Sequence, residues 1–153
     1  MRELPIQNED FAVLKRVMQN VDLFAKLSMG QLEDLCRTMD LLYYDPNEVI
    51  IKQGASGDSF FILQSGKVRV TKKKGMFSKP SELATLGPGD FFGEMALFAK
   101  AKRNATITAV SATRAFILKY PQFKAFLLKN EGFKKQVLDI AKERNLTNRL
   151  KRI

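Results

Sequence analysis

The chain has 153 residues, 45% of them hydrophobic, with 12 phenylalanines and a formal net charge of +10; that is one domain with enough apolar surface to bury a real core. It contains no histidine and one cysteine, which removes the commonest metal ligand and general base and excludes an internal disulfide. Its apolar runs are short and broken by charge, and MRELPIQNED has no apolar signal core, so neither a transmembrane span nor a signal peptide is expected and a cytoplasmic setting is.

The first 40 residues read as a helical lead-in. Phe11, Leu14, Val17 and Met18 recur at helical spacing from about Glu9 to Asn20, with Asp10 placed to cap the start. Val21 to Leu27 is a short apolar connector. Ser28 with Gln31 three residues on forms a capping-box pattern, and Leu32, Leu35, Cys36 and Met39 follow on one face. Cys36 therefore reads as a small core residue and not as a reactive thiol.

From Leu41 the period changes to that of strands. Leu41–Tyr44, Val49–Lys52, Phe60–Gln64, Lys67–Lys72, Leu83–Leu86, Phe91–Phe92, Ala105–Val110 and Arg114–Leu118 are strand signals, separated by turn chemistry such as Asp45-Pro46-Asn47, Ser65-Gly66 and Gly87 to Asp90. The expected fold is α+β: an antiparallel β-roll, a jelly-roll-like barrel of about eight strands over 41–118, flanked by helices. Lys72 to Pro80 reads as an exposed basic hairpin end; it lacks the Gly-Lys-Ser/Thr ending of a P-loop. After the roll, Pro121 fits the first turn of a helix with Phe123, Phe126 and Leu127 on its apolar face. Asn130 is expected to cap a last helix that carries Phe133, Val137, Ile140 and Ala141 on one stripe. Leu146, Leu150 and Ile153 fall on another stripe, which is free, frayed or turned to a partner.

The chemistry concentrates in Gly87–Ile107, GPGDFFGEMALFAKAKRNATI. A short helix opening after Gly93 presents backbone N–H groups, near Ala96, that suit an anion. Arg103 can meet a phosphate with two parallel charge-assisted hydrogen bonds. Glu94 puts a carboxylate beside the same anion, which makes sense when the ligand also carries hydroxyls. Phosphate plus sugar hydroxyl in one small molecule suggests a nucleotide. Binding, not turnover, is the expectation, because no nucleophile–base pair or carboxylate pair is present.

FGEMALFAKAKRNATI resembles the phosphate-binding cassette of the cyclic nucleotide-binding domains, found in catabolite activator proteins, regulatory subunits of cyclic-AMP-dependent kinase and cyclic-nucleotide-gated channels. The family pattern, roughly F-G-E-[LIM]-A-L, about five residues, R-[AST]-A and β-branched residues, is matched by Phe92, Gly93, Glu94, Met95, Ala96, Leu97, Arg103, Ala105 and Ile107. Lys102 stands where proline is frequent, and Asn104 where a smaller residue is usual. VIIKQGASGDSFFILQSGKVRV is similar to the family's first half of the roll, with Gly54, Gly57 and Gly66 at its turns, and VDLFAKLSMGQLEDLC to its helical lead-in.

The resemblance implies a cyclic nucleotide receptor with the cassette at 92–107 and a C-terminal lid in 119–153. Arg103 would neutralise the cyclic phosphate and Glu94 would accept from the ribose 2′-OH. Asn104 would touch a phosphate oxygen or purine edge, Val70 and Leu86 would pack on the base, and Arg144, Asn145 and Asn148 would reach it from the lid. Cyclic AMP is expected over cyclic GMP, as the commoner ligand of such domains. No cofactor or metal is expected, nor a DNA-binding domain within this chain; an effector protein is. Stand-alone receptor and module of a longer protein both stay open, as do a ligand-free, partner-binding member of the fold and a nucleic-acid binder using the basic terminal helix.

Overall fold

Two strands of this chain, FFIL in 60–63 and AFIL in 115–118, are apolar at every position, and they explain the architecture. A strand turns alternate side chains to opposite faces, so one apolar on both faces must lie between two cores. In the computed structural model, which describes residues 1–144, Phe60, Ile62, Phe116 and Leu118 face one core while Phe61, Leu63, Ala115 and Ile117 face a second.

The first core lies between a sheet and the helices; the second lies between that sheet and another. The first sheet joins β1 (Arg2–Leu4), β2 (Asp40–Tyr44), β9 (Thr113–Lys119), β4 (Ser59–Ser65) and β7 (Phe91–Phe92), in that order, and all recorded pairings are antiparallel. The second runs β3 (Val49–Ile51), β8 (Thr106–Ala109), β5 (Val68–Lys72) and β6 (Ser81–Leu86), again antiparallel. The result is the expected β-roll, open at its sheet edges and not closed into a barrel. The added strand, β1, pairs Arg2 with Tyr43 and sets the Arg2 guanidinium 4.7 Å from the Tyr43 ring centre.

Helices α1 (Asn8–Gln19), α2 (Met29–Cys36), α3 (Tyr120–Lys129) and α4 (Glu131–Glu143) cover the outer face of the first sheet. The Ser28–Gln31 capping box forms as the spacing predicts, with both reciprocal hydrogen bonds at 3.0–3.1 Å. One cap position differs from expectation. Gln7, not Asp10, is the cap of α1; Asp10 sits three residues inside and accepts from the Gln7 N–H at 2.8 Å. It also accepts from the Gln64 side chain, fastening the helix to β4. Asn130 is the N-cap of α4, as expected, although its side chain makes no cap hydrogen bond there: its amide donates to Phe126 O at 2.8 Å and closes α3. Phe133, Val137 and Ala141 are buried and Ile140 partly so, so the first stripe of the last helix docks as predicted. Leu146, Leu150 and Ile153 lie outside the described residues.

Candidate functional site

The cassette is held at both ends by the roll. At its start, Phe92 is buried and stacks on Phe61 across the β4–β7 pair, ring centres 5.0 Å apart. Gly93 then turns the chain at φ +85° into a 3-10 helix over Glu94–Leu97. Only glycine suits this point: a Cβ there would stand 2.8 Å from Ser59 O and 3.0 Å from Arg103 Nη1. Leu97 and Phe98, fully buried in the helix-side core, pin the short helix down. On the way back, the chain pairs with the turn that precedes β4. Arg103 N–H donates to Ala55 O and Gly54 N–H to Arg103 O, both at 2.7 Å, while Gly57 N–H donates to Ala101 O at 3.3 Å.

This pairing fixes Arg103. Its Nη2 donates to Ser59 O at 2.7 Å, and a Cβ on Gly57 would fall on the guanidinium, 2.5 Å from Cζ. Burial pulls the Arg103 pKa below its ordinary value, and the nearby Asp58 carboxylate opposes that shift. The charge therefore lacks part of its hydration. The carbonyl takes one of five donors, and an incoming anion can take others in a bidentate pair. Asp58 is itself steadied by Ser59 Oγ, which donates to its Oδ1 at 2.6 Å.

A cavity of about 580 Å³ opens here, lined by Gly93, Glu94, Met95 and Ala96 on one side and by Ala99 to Asn104 on the other. Six of the predicted site residues thus share one wall system: Gly93, Glu94, Met95, Ala96, Arg103 and Asn104. Arg103 also reaches a second cavity, about 590 Å³, at the end of the roll beside Tyr44, Ile51 and Phe61. The Ala96 N–H is engaged, donating to Gly93 O at 3.1 Å, because a 3-10 turn closes its first bond a residue earlier than an α-turn.

The other predicted residues lie elsewhere. Phe92 belongs to the core between the sheets and does not line the cavity, and Ala105 is half-buried just after Asn104. Val70 and Leu86 pack against the core between the sheets and do not line the cavity. Arg144 lines a smaller groove, about 150 Å³, which it shares with Glu94 and Ile140. Asn145 and Asn148 fall outside the described residues. The sequence reading missed the role of Gly57, Asp58 and Ser59 as the bed of Arg103. The signal lies in the Gly54…Gly57-Asp58 spacing, which reads as a turn and as part of the family's first half of the roll but names no role toward Arg103. Among the described residues no cluster of potential metal ligands occurs, and no helix is long and apolar enough to cross a membrane.

Comparison with known proteins gives a consistent picture. Residues 41–130 match the family model described as cyclic nucleotide-binding domain. The chain is 34% identical over 132 residues to the cGMP-dependent protein kinase egl-4 of Caenorhabditis elegans, covering 86% of this chain and 16% of the kinase. It is 36% identical to cGMP-dependent protein kinase isozyme 1 of Drosophila melanogaster, covering 80% of this chain and 15% of that one. Among solved structures, the regulatory domain of Toxoplasma gondii PKA with cAMP superposes with a TM-score of 0.71 at 29% identity, over 80% of this chain and 46% of that one. The chain thus spans about a sixth of the length of these curated kinases.

Proposed function

The chain belongs to the cyclic nucleotide-binding domain family, and from that premise we propose that it is a regulatory module that binds a 3′,5′-cyclic purine nucleotide in the cassette cavity. The observation that carries the reading is the half-buried Arg103 guanidinium, set on Ser59 O at 2.7 Å and facing a cavity that also holds Glu94. The cyclic phosphate pairs with Arg103. Glu94 accepts from the ribose 2′-OH, and the first N–H groups of the 3-10 helix face the phosphate oxygens. Asn104, exposed on the cavity wall, meets the phosphate or the purine edge.

Cyclic GMP is the first ligand to test. The sequence alone leaned to cyclic AMP, but identity to the cGMP-dependent kinases, 34–36%, exceeds the 29% to the cAMP-bound structure. A competition titration with both nucleotides decides between them, and absence of binding by either would defeat the receptor reading.

Arg103→Ala tests the anchor itself. Removing a two-pronged charged contact costs about 1.5–3 kcal/mol per bond, so affinity falls roughly a hundredfold or more. The melting temperature stays close to that of the parent, since the side chain gives the fold one backbone hydrogen bond. Tight binding by the variant would show that the phosphate sits elsewhere.

The response to ligand is proposed for the end of α4. Phe133, Val137 and Ala141 are already seated in the core, whereas Ile140 and Arg144 border the groove that reaches Glu94. Hydrogen exchange at Asp139–Arg144 should slow on nucleotide binding while Phe133 stays protected throughout. Unchanged exchange at that end would rule out a lid there. The output passes to an effector protein, or to further parts of a longer chain, as the length of the relatives suggests.

A further inference from the structure

The β5–β6 hairpin has a feature that nucleotide binding does not use. Its connection, Lys73 to Pro80, is exposed throughout. Met76 and Phe77 are 86% and 97% exposed, more than any other large apolar side chain among the described residues. Ser78 N–H donates to Gly75 O at 3.2 Å, so the two occupy the centre of a tight turn at the apex. Lys72, Lys73, Lys74 and Lys79 flank them in sequence, against a single nearby carboxylate, Glu82. None of the four lysines forms an ion pair among the described residues. The base of the hairpin is clamped: the Gln53 side chain accepts from Lys73 N–H and donates to Lys73 O, both at 2.9 Å. An exposed apolar tip is thus carried on a clamped base and flanked in sequence by lysines that form no ion pair among the described residues.

We propose that this tip docks the domain on an anionic lipid surface. Met76 and Phe77 enter the headgroup–acyl boundary, and the four lysines stay at the headgroups, their stems along the apolar layer and their ammonium groups on the lipid phosphates. The charge favours an anionic surface: four lysines within eight residues face one nearby carboxylate, and they flank the two most exposed large apolar side chains among the described residues, the pairing of apolar insertion with headgroup attraction that an anionic bilayer rewards. The net charge of +10 adds long-range attraction to the same surface.

Vesicle sedimentation of the 153-residue chain tests the proposal. It should bind phosphatidylcholine vesicles that contain phosphatidylserine and should not bind phosphatidylcholine alone. Met76→Ser with Phe77→Ser lowers partitioning by about tenfold or more, as two apolar side chains leave the interface. Lys72→Gln, Lys73→Gln and Lys74→Gln together lower it on the order of a hundredfold. A charge-matched control on the exposed Lys124, Lys129 and Lys135 changes it little. Circular dichroism of each variant confirms that the fold is kept. The proposal falls if the parent ignores anionic vesicles, if the control loses as much as the hairpin variants, or if the Met76/Phe77 variant partitions like the parent. It falls too if polyglutamate binds with the same dependence on Met76 and Phe77, which would assign the tip to an acidic protein.

Discussion

Gly57 separates the residues that build the site from those that build the fold. It lies under the Arg103 guanidinium, and a methyl group there would meet Cζ at 2.5 Å and Cδ at 2.9 Å. Those atoms end a flexible side chain, so the cheapest relief is for the guanidinium to swing away while the backbone stays. Gly57→Ala should therefore weaken cyclic nucleotide binding at least about tenfold and cost stability only about 1 kcal/mol. Calorimetric titration paired with a denaturant curve measures both. Equal losses in the two would mean that the turn itself had been deformed. Arg103 and Glu94, which line one cavity, stand out in the sequence as candidates because charged groups at set spacing in a glycine-bounded turn have few structural uses. The sequence hid the bed of Arg103, since Gly57 and Ser59 act through backbone position: one by lacking a side chain, the other through its carbonyl oxygen.

At the scale of elements, legibility followed periodicity. Strands β4 and β9 were plain because apolar residues fill both faces, and α2 because its capping box and apolar stripe agree. Strand β1 was not legible: three residues at a sheet edge bury little and carry no alternation, and its partner β2 defines it. Asp10 was assigned to the wrong cap position for a related reason, as a carboxylate suits both the cap and the third helical residue, and only the path of the chain at Gln7 decides. The last helix gives an element-scale prediction. Phe133 packs against Phe24, Phe123 and Phe126, with ring centres 5.7–6.4 Å away. Phe133→Ala should destabilise the domain by about 3–5 kcal/mol, the usual cost of emptying a buried aromatic site. Urea unfolding measures it. A loss under about 1 kcal/mol would show that α4 docks without this anchor.

On the scale of the whole molecule, each core holds a buried ionisable group among the described residues, Cys36 in one and Tyr44 in the other, and both respond to alkali. Cys36, fully buried on the helix side, has its thiol pushed up from 9.0 to about 11, chiefly by burial. Tyr44, between the sheets, is pushed from 10.0 to about 12, by burial first and the Glu48 charge second. A raised pKa means that the folded chain holds its proton more tightly than the unfolded one. Each group's contribution is complete below its unfolded value and is lost as pH rises through the folded one. Stability should hence be flat from neutrality to about pH 9, decline between 9 and 11 as the Cys36 advantage goes, and decline further between 10 and 12 with Tyr44. Each shift of two units corresponds to about 2–3 kcal/mol. Urea midpoints across that range test the ordering, with Cys36→Ala removing the earlier part of the decline and Tyr44→Phe the later. If both variants fall as steeply as the parent, the alkaline loss comes from the many lysines and not from the cores. Because the two groups lie in cores that share one sheet, the two parts of the decline should appear in one cooperative unfolding transition and not in two.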